Sequence, residues 1–415
     1  MHVICTAGHV DHGKSTLVRA LTGMEPDRFA EERERGLTID LGFAWAELPG
    51  EPAVTVAFVD LPGHERFIGN MLAGAGAVEL ALFVVAADEG WMPQSREHLD
   101  ILDLLGVRHG LVALTKSDTV DDDTRDLGVE LVREELAGSV LAGVPIVPVS
   151  AATGAGLDDL REALRALVAA APATGDAGRP RLWVDRAFTV RGAGTVVTGT
   201  LAGGSVALGD ELVVLPARAR GRVRGLQSLG QPLTAATPGS RLAINLSGVE
   251  RMAVGRGAAI GRAGQWVAAT AFDAAVRVLP GQELDRKGAW HLHVGAAEHL
   301  VRVYPTAGTA LTGGGHVRVE LGAPIALVVG DRFVLREAGR RATVAGGTVL
   351  DPVPVPRPRG PQARARRSAE LAARSALLDA DDRAGLLVAH LGERGADTAE
   401  HSAAAVGLPG TAIAG

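Results

Sequence analysis

Gly8-His-Val-Asp-His-Gly-Lys-Ser15 fits the pattern G-x-x-x-x-G-K-[ST], and its flanks decide how it folds. A short apolar run, His2 to Thr6, precedes it, and a helical pattern, Ser15 to Leu21, follows it. Strand, glycine loop and helix is the phosphate-binding arrangement. Gly8 and Gly13 let the backbone curl so that its N–H groups point at phosphate oxygens. Lys14 reaches the β- and γ-phosphates, and the Ser15 hydroxyl is a Mg²⁺ ligand. The nucleotide-binding set read from this loop is Gly8, His9, Val10, Asp11, His12, Gly13, Lys14, Ser15 and Thr16.

Three later segments select the base. Val54–Val59 is an apolar, β-branched run ending in Asp60-Leu-Pro-Gly63-His64. Asp60 is placed to hold Mg²⁺, and Gly63 to bring an N–H to the γ-phosphate. Leu111–Leu114 ends in Thr115-Lys116-Ser117-Asp118, where a carboxylate accepts guanine N1–H and N2–H₂. Adenine offers no such donor pair. Ile146–Val149 ends in Ser150-Ala151, suited to a backbone contact with guanine O6. Four motifs in order, each at the C-terminal end of a strand, point to one ligand edge of an open α/β sheet. The expected ligands are GTP and Mg²⁺.

Lysine usage agrees. The chain has only Lys14, Lys116 and Lys287, and arginine fills nearly every other basic position. Two of the three lie where a compact ammonium on a flexible stem is needed.

Length and composition bound the rest. A chain of 415 residues holds several domains, and 47% hydrophobic with 22% charged residues is a globular balance. Cys5 is the single cysteine, which excludes an internal disulfide and suits a reducing cytoplasm. No secretory leader or long apolar span is read, so no membrane association is expected. Residues 1–172 carry 13 Lys+Arg against 28 Asp+Glu, whereas residues 173–415 carry 29 against 20. A basic second half is compatible with an RNA partner and equally with ordinary solvated surface.

Strand patterns at 2–6, 54–59, 80–87, 110–115 and 145–149 alternate with helical stretches, which predicts a mostly parallel sheet covered on both faces over residues 1–171. Residues 172–180 read as a linker. From Leu182 to about Pro352 the chain has short strand-like runs and Gly/Pro turns, read as two small β-barrels at 181–262 and 263–352. A Pro/Arg linker is expected over 353–367 and a helical segment over 368–415. In that segment Asp382–Arg394 is amphipathic, and Asp397-Thr-Ala-Glu400 is a capping box. Helix, turn and short helix begin a winged-helix module, so the chain is expected to stop inside a domain, with a disordered tail as the alternative.

These residues resemble a family. Ala7–Ser15, Glu34-Arg-Gly-Leu-Thr-Ile-Asp40 and Asp60–His64 are similar to the translational GTPases. More narrowly, Thr38–Gly42, Gly63-His-Glu-Arg-Phe67, Asn70–Gly74 and Leu114–Asp118 resemble the selenocysteine-specific elongation factors (SelB). The resemblance implies an α/β GTPase domain, two β-barrels and, in bacterial members, winged-helix domains that bind an mRNA hairpin. It implies Thr38 as the Mg²⁺ ligand that joins when a γ-phosphate is present, and His64 as the residue orienting the attacking water. It implies Asp185, Arg186 and Arg241 as the pocket for the selenocysteinyl group, because two guanidiniums favour an anionic selenolate over a neutral serine hydroxyl. Structural ion pairs are the alternative for these three. The implied partners are selenocysteinyl-tRNA, the ribosome and, in a full-length form, an mRNA hairpin, with the protein a cytoplasmic monomer. A general elongation or initiation factor, or a regulatory GTP-binding subunit of a metabolic enzyme, is the competing reading. Thr115 departs from the Asn usual in other GTPases, which predicts a weaker tie between phosphate loop and guanine loop. The alternation His291-Leu-His293, with His299, reads as the solvent-facing side of a strand rather than a metal cluster.

Overall fold

β1 (His2–Ala7), β3 (Val54–Asp60), β4 (Leu80–Ala86), β5 (His109–Thr115) and β6 (Ile146–Pro148) run parallel in the computed structural model, in the order β3-β1-β4-β5-β6. The structure describes residues 2–26, 40–63, 68–75, 78, 80–172, 175–192, 194–340, 342–394 and 397–408. Thr38 and His64 lie outside these described residues. The chain forms two compact units, Met1–Thr174 with Gly239–Arg241, and Gly175–Pro238 with Leu242–Gly415.

In the first unit, β2 (Gly42–Leu48) adds an antiparallel edge beside β3. The pattern reading of the first domain omits this strand, whose Phe43-Ala-Trp-Ala-Glu47 run carries few β-branched residues and gains its identity by pairing along all of β3. The helices are α1 (Lys14–Thr22), α2 (Ile68–Ala75), α3 (Pro93–Leu105), α4 (Asp122–Leu136) and α5 (Leu157–Ala170). Leu17 and Val18 of α1 and Leu160 and Leu164 of α5 pack with Ile4, Phe58, Leu82 and Leu111 of the sheet in one buried cluster. Strand order reverses at β1, whose neighbours are β3 and β4. The crevice beyond its C-terminal end is therefore where a ligand fits.

In the second unit, β7 (Arg181–Trp183), β8 (Arg186–Val190), β9 (Gly194–Ala202), β10 (Val206–Ala207), β11 (Glu211–Leu215), β12 (Ala219–Ser228), β13 (Gln231–Leu233), β14 (Ala235–Ala236), β15 (Arg241–Ser247) and β16 (Ala259–Gly261) build the first barrel. Its ring runs β11-β16-β7-β9-β15-β12 and closes through the β11–β12 pairing. Residues on β15 alternate strictly between buried and half-buried, the period-two signature of a wall with one face inward.

The second barrel holds β17 (Val267–Val278), β18 (Leu284–Asp285), β19 (Trp290–Val294), β20 (Ala297–Pro305), β21 (Ala310–Leu311), β22 (Gly314–Leu327), β23 (Arg332–Glu337) and β24 (Thr343–Asp351). Six of these close in the order β17-β22-β20-β19-β23-β24. Phe272 and Phe333 meet edge to face inside it, ring centroids 5.3 Å apart. Closure removes the free edges that open sheets must protect. His293 corrects the solvent-facing expectation: it is buried on β19, and burial pushes its pKa down to about 3. His291 and His299 are half-buried.

The tail also differs from its reading. α6 (Pro361–Asp379) starts inside the stretch expected to be a linker, and α7 (Arg383–Arg394) and α8 (Ala399–Val406) follow. Arg367 is buried, its guanidinium reaching Asp273 at 2.8 Å and Asp351 at 2.7 Å. Carboxylates distant in sequence thus turn an apparently basic linker into a docked helix. The α8 cap shifts by one residue: the Thr398 hydroxyl accepts the His401 N–H at 3.2 Å, while Asp397 is drawn back to His390 at 3.1 Å.

Candidate nucleotide-binding site

Gly8 and Gly13 adopt φ of 131° and 83°, left-handed values that side chains resist. A Cβ on Gly8 would stand 2.1 Å from the Val84 carbonyl oxygen, so the loop can pass beneath β4 only as glycine. Gly63 is equally confined. A Cβ there would lie 2.5 Å from Lys14 Nζ and 2.7 Å from the Val10 nitrogen. The backbone after β3 therefore touches the loop where Lys14 ends.

Lys14 is buried, and its ammonium donates to the carbonyls of Gly8 at 3.0 Å and His9 at 2.6 Å. The Ser15 hydroxyl donates to Asp60 Oδ2 at 2.6 Å, and the Thr6 hydroxyl donates to Asp60 Oδ1 at 2.6 Å. Thr6 Oγ1 in turn accepts the Leu61 N–H at 3.0 Å. Asp60 is fully buried and held by hydroxyls on both oxygens. Ser15, Lys14, Asp60 and Gly63, read from separate motifs, are thus brought together. Thr6 is an additional member, and a polar residue near the end of an apolar strand was its available signal.

Two further contacts come from α3. Gln94 Oε1 accepts the Val10 N–H at 3.0 Å, and His98 Nδ1 accepts the Gly8 N–H at 2.9 Å. His98 is fully buried, and desolvation, with Lys14 nearby, pushes its pKa well below the ordinary value. The ring is neutral, which an acceptor nitrogen requires. His12 is buried too, its pKa pushed down to about 4 by desolvation and then by His9. His9 is lowered by desolvation and by Lys14. These three histidines leave the ammonium and the backbone N–H groups as the positive charge of the loop. Nothing in the local sequence signals Gln94 or His98, because the pairing spans more than 80 residues.

At the end of β5, the Thr115 hydroxyl donates to the His12 carbonyl at 2.7 Å, with Val85 O at 3.2 Å. Thr115 therefore ties this loop to the phosphate loop directly, through the single hydrogen its hydroxyl can donate. Lys116 has φ 54° and reaches Glu89 at 2.7 Å and Asp88 at 3.3 Å. Burial works against its charge, but these carboxylates raise its pKa overall. Asp118 is exposed. Ser150 is buried, its Oγ accepting the Thr153 N–H at 3.1 Å, and Ala151 is half-buried beside it.

In the first barrel, Asp185 is buried and accepts the Thr198 hydroxyl at 2.6 Å. Arg186 pairs with Thr198 in the β8–β9 register, and Arg241 opens β15, the strand beside β9.

Residues 1–170 match the elongation factor Tu GTP binding domain, and residues 273–356 match the β-barrel domain of selenocysteine-specific elongation factors. The chain is 35% identical to an elongation factor Tu of Streptomyces avermitilis, over 83% of this chain and 95% of that one. It is 43% identical to a selenocysteine-specific elongation factor of Desulfomicrobium baculatum, over 85% of this chain and 56% of that one. The chain belongs to the translational GTPases, on their selenocysteine-specific branch. It spans little more than half the length of the Desulfomicrobium member. Among solved structures of the family, a bacterial selenocysteine-specific elongation factor superposes with a TM-score of 0.82 at 32% identity, covering 94% of this chain and 63% of that one. The expected order of GTPase domain and two β-barrels is that of this translational GTPase, and guanine nucleotide is the ligand class its first domain implies. Among the described residues, no helix is long and apolar enough to cross a membrane.

Proposed function

We propose that this chain binds and hydrolyses GTP, and carries selenocysteinyl-tRNA to the ribosome at recoded UGA codons. The observation that carries this reading is a GTP-binding domain and a selenocysteine-specific barrel in one chain. The nucleotide site fits Mg²⁺ by its donor set, since the Ser15 hydroxyl and the Asp60 carboxylate are hard oxygen ligands 2.6 Å apart. With Thr38 as a third oxygen, these residues would hold the ion, which neutralises charge on the β- and γ-phosphates when bound.

Lys14 exchanges its two carbonyl partners for phosphate oxygens. Gly63 donates its N–H to the γ-phosphate, and His64 orients the attacking water. Asp118 reads the guanine edge, with Ser150 and Ala151 meeting O6. Asp185, Arg186 and Arg241 form the pocket for the selenocysteinyl group, where a selenolate is stabilised and a serine hydroxyl leaves the guanidiniums unpaired. Work as a cytoplasmic monomer, and recognition of an mRNA hairpin by a longer form, belong to the same reading.

The test compares GTP-dependent protection of selenocysteinyl-tRNA and seryl-tRNA from deacylation, together with ribosome-stimulated hydrolysis. Protection of the first alone is expected, and His64→Ala should slow stimulated hydrolysis by about 10²-fold while sparing GTP binding. Equal protection of both tRNAs would transfer the chain to the general elongation or initiation factors. An unchanged hydrolysis rate would remove His64.

A further inference from the structure

The second barrel and the start of α6 enclose a cavity of about 300 Å³ far richer in positive than in negative groups. Six arginines line it against one carboxylate, Asp273. That carboxylate is already consumed. Arg318 grips both its oxygens, and Arg367 donates to Oδ2 at 2.8 Å. Arg318 and Arg367 are therefore part of the wall.

The other four are Arg286, Arg357, Arg359 and Arg364. Arg357 lies 3.8 Å from Glu320, a long contact at the surface. Among the described residues, Arg286, Arg359 and Arg364 meet no carboxylate. Tyr304 gathers two of the four without neutralising them, with the Arg357 guanidinium 4.1 Å from its ring centroid and that of Arg286 5.8 Å away. Gly360, on the cavity wall, opens α6 with no side-chain cap and no acidic residue in the first turn, so the positive helix end adds to the field. Elsewhere in this unit Arg181 is matched by Asp331 and Arg374 by Glu393, while buried Arg179 donates to the carbonyls of Gln265 and Ala404. Like charges collected without counter-charge repel one another, and a ligand with several anionic oxygens relieves that repulsion. Guanidinium forks match phosphate in this way.

We propose that this cavity is a second anion site, distinct from the GTP site, which binds phosphate groups through Arg286, Arg357, Arg359 and Arg364. The phosphate comes either from a free polyphosphate compound or from an RNA backbone, and the experiment separates the two. The full chain is saturated with GDP and Mg²⁺ to occupy the first site. Inorganic pyrophosphate and a short single-stranded oligoribonucleotide are then titrated calorimetrically. Arg359→Ala combined with Arg364→Ala leaves the Asp273 cluster intact, and its urea midpoint verifies the fold. Arg366→Ala, an exposed neighbour outside the cavity wall, controls for general charge.

The double variant should weaken binding about tenfold or more, and Arg366→Ala should change it little. Loss confined to pyrophosphate identifies a free ligand, and loss confined to the oligonucleotide identifies RNA. Loss of both upholds the site for either. Absence of wild-type binding to both probes, an unaltered double variant, or an equal loss in Arg366→Ala would overturn the proposal. GTP hydrolysis is measured in parallel, so failure here leaves the proposed function untouched.

Discussion

The phosphate-loop end of the first sheet and the α6 face of the second barrel both bury charge, and they satisfy it differently. At the loop, Lys14 donates to the backbone carbonyls of Gly8 and His9, and Asp60 accepts from the hydroxyls of Ser15 and Thr6. At α6, Arg367, Arg374 and Arg394 converge on Asp351 and Glu393, joined by Asp273. Neutral partners can be exchanged for a phosphate or a cation at modest cost. Charged partners in a buried network cannot, since each removal strands another charge. The first arrangement suits a site that loads and empties. The second suits a permanent joint between helix and barrel.

The largest expected effect breaks the joint. Burial alone raises the Asp351 carboxyl pKa, but Arg374, Arg367 and Arg394 outweigh it and hold it below the usual range. Asp351→Ala should destabilise the fold by about 3–5 kcal/mol in urea unfolding, because it leaves guanidiniums buried without a partner. A loss below ~1 kcal/mol would mean that the network is solvated in solution and the contrast is unreal.

Histidines sharpen the comparison through pH. His12 and His98 in the first unit, and His293 in the second, have folded pKa values depressed by burial. The unfolded chain therefore binds more protons below about pH 6.5. Stability from these groups is complete above that pH and is lost as pH falls toward the folded values, with a slope of up to ~1.4 kcal/mol per pH unit for each. His12→Asn should flatten the acid slope of nucleotide-domain unfolding between about pH 6.5 and 4 and leave second-barrel unfolding alone. His293→Asn should do the reverse. Unaltered slopes would show that these rings are protonated in the folded protein.

A smaller effect is expected at Thr115→Val, which preserves shape and removes the hydroxyl bridge to the His12 carbonyl. The cost should be about 1 kcal/mol in stability, with GDP affinity reduced several-fold. If Thr115→Asn instead strengthens GDP binding, the bridge made by threonine is the weaker of the two. Least affected should be Arg366→Ala. This residue neighbours Arg367 but is exposed and, among the described residues, paired only with Glu370 at 2.9 Å. Its loss should stay within about 0.5 kcal/mol. The contrast between adjacent arginines isolates burial from charge.

Much of the nucleotide end is legible in the chain, since each motif joins consecutive residues to a strand end. Gly8 to Ser15, Asp60 and Gly63 converge because a parallel sheet collects such ends at one edge. The helper side chains are less legible. Thr6 shows as a polar residue in an apolar strand, whereas Gln94 and His98 lie in an amphipathic helix with no local sign that they meet the loop. The tail is least legible. Pro352 to Arg367 reads as a solvated linker because its carboxylate partners, Asp273 and Asp351, are contributed by β17 and β24.

The sequence by itself determined the glycine loop between β1 and α1, the strand ends that converge beside it and the change from alternating α/β to short strands, because local spacing and residue chemistry decide these. Only the tertiary structure decided which buried groups are neutral, that Thr115 bridges two loops, and that the arginines on and around α6 split, among the described residues, into those held by buried carboxylates and those that are not. Those outcomes depend on partners brought from tens to hundreds of residues away, and on how much water each group loses when the chain closes around it.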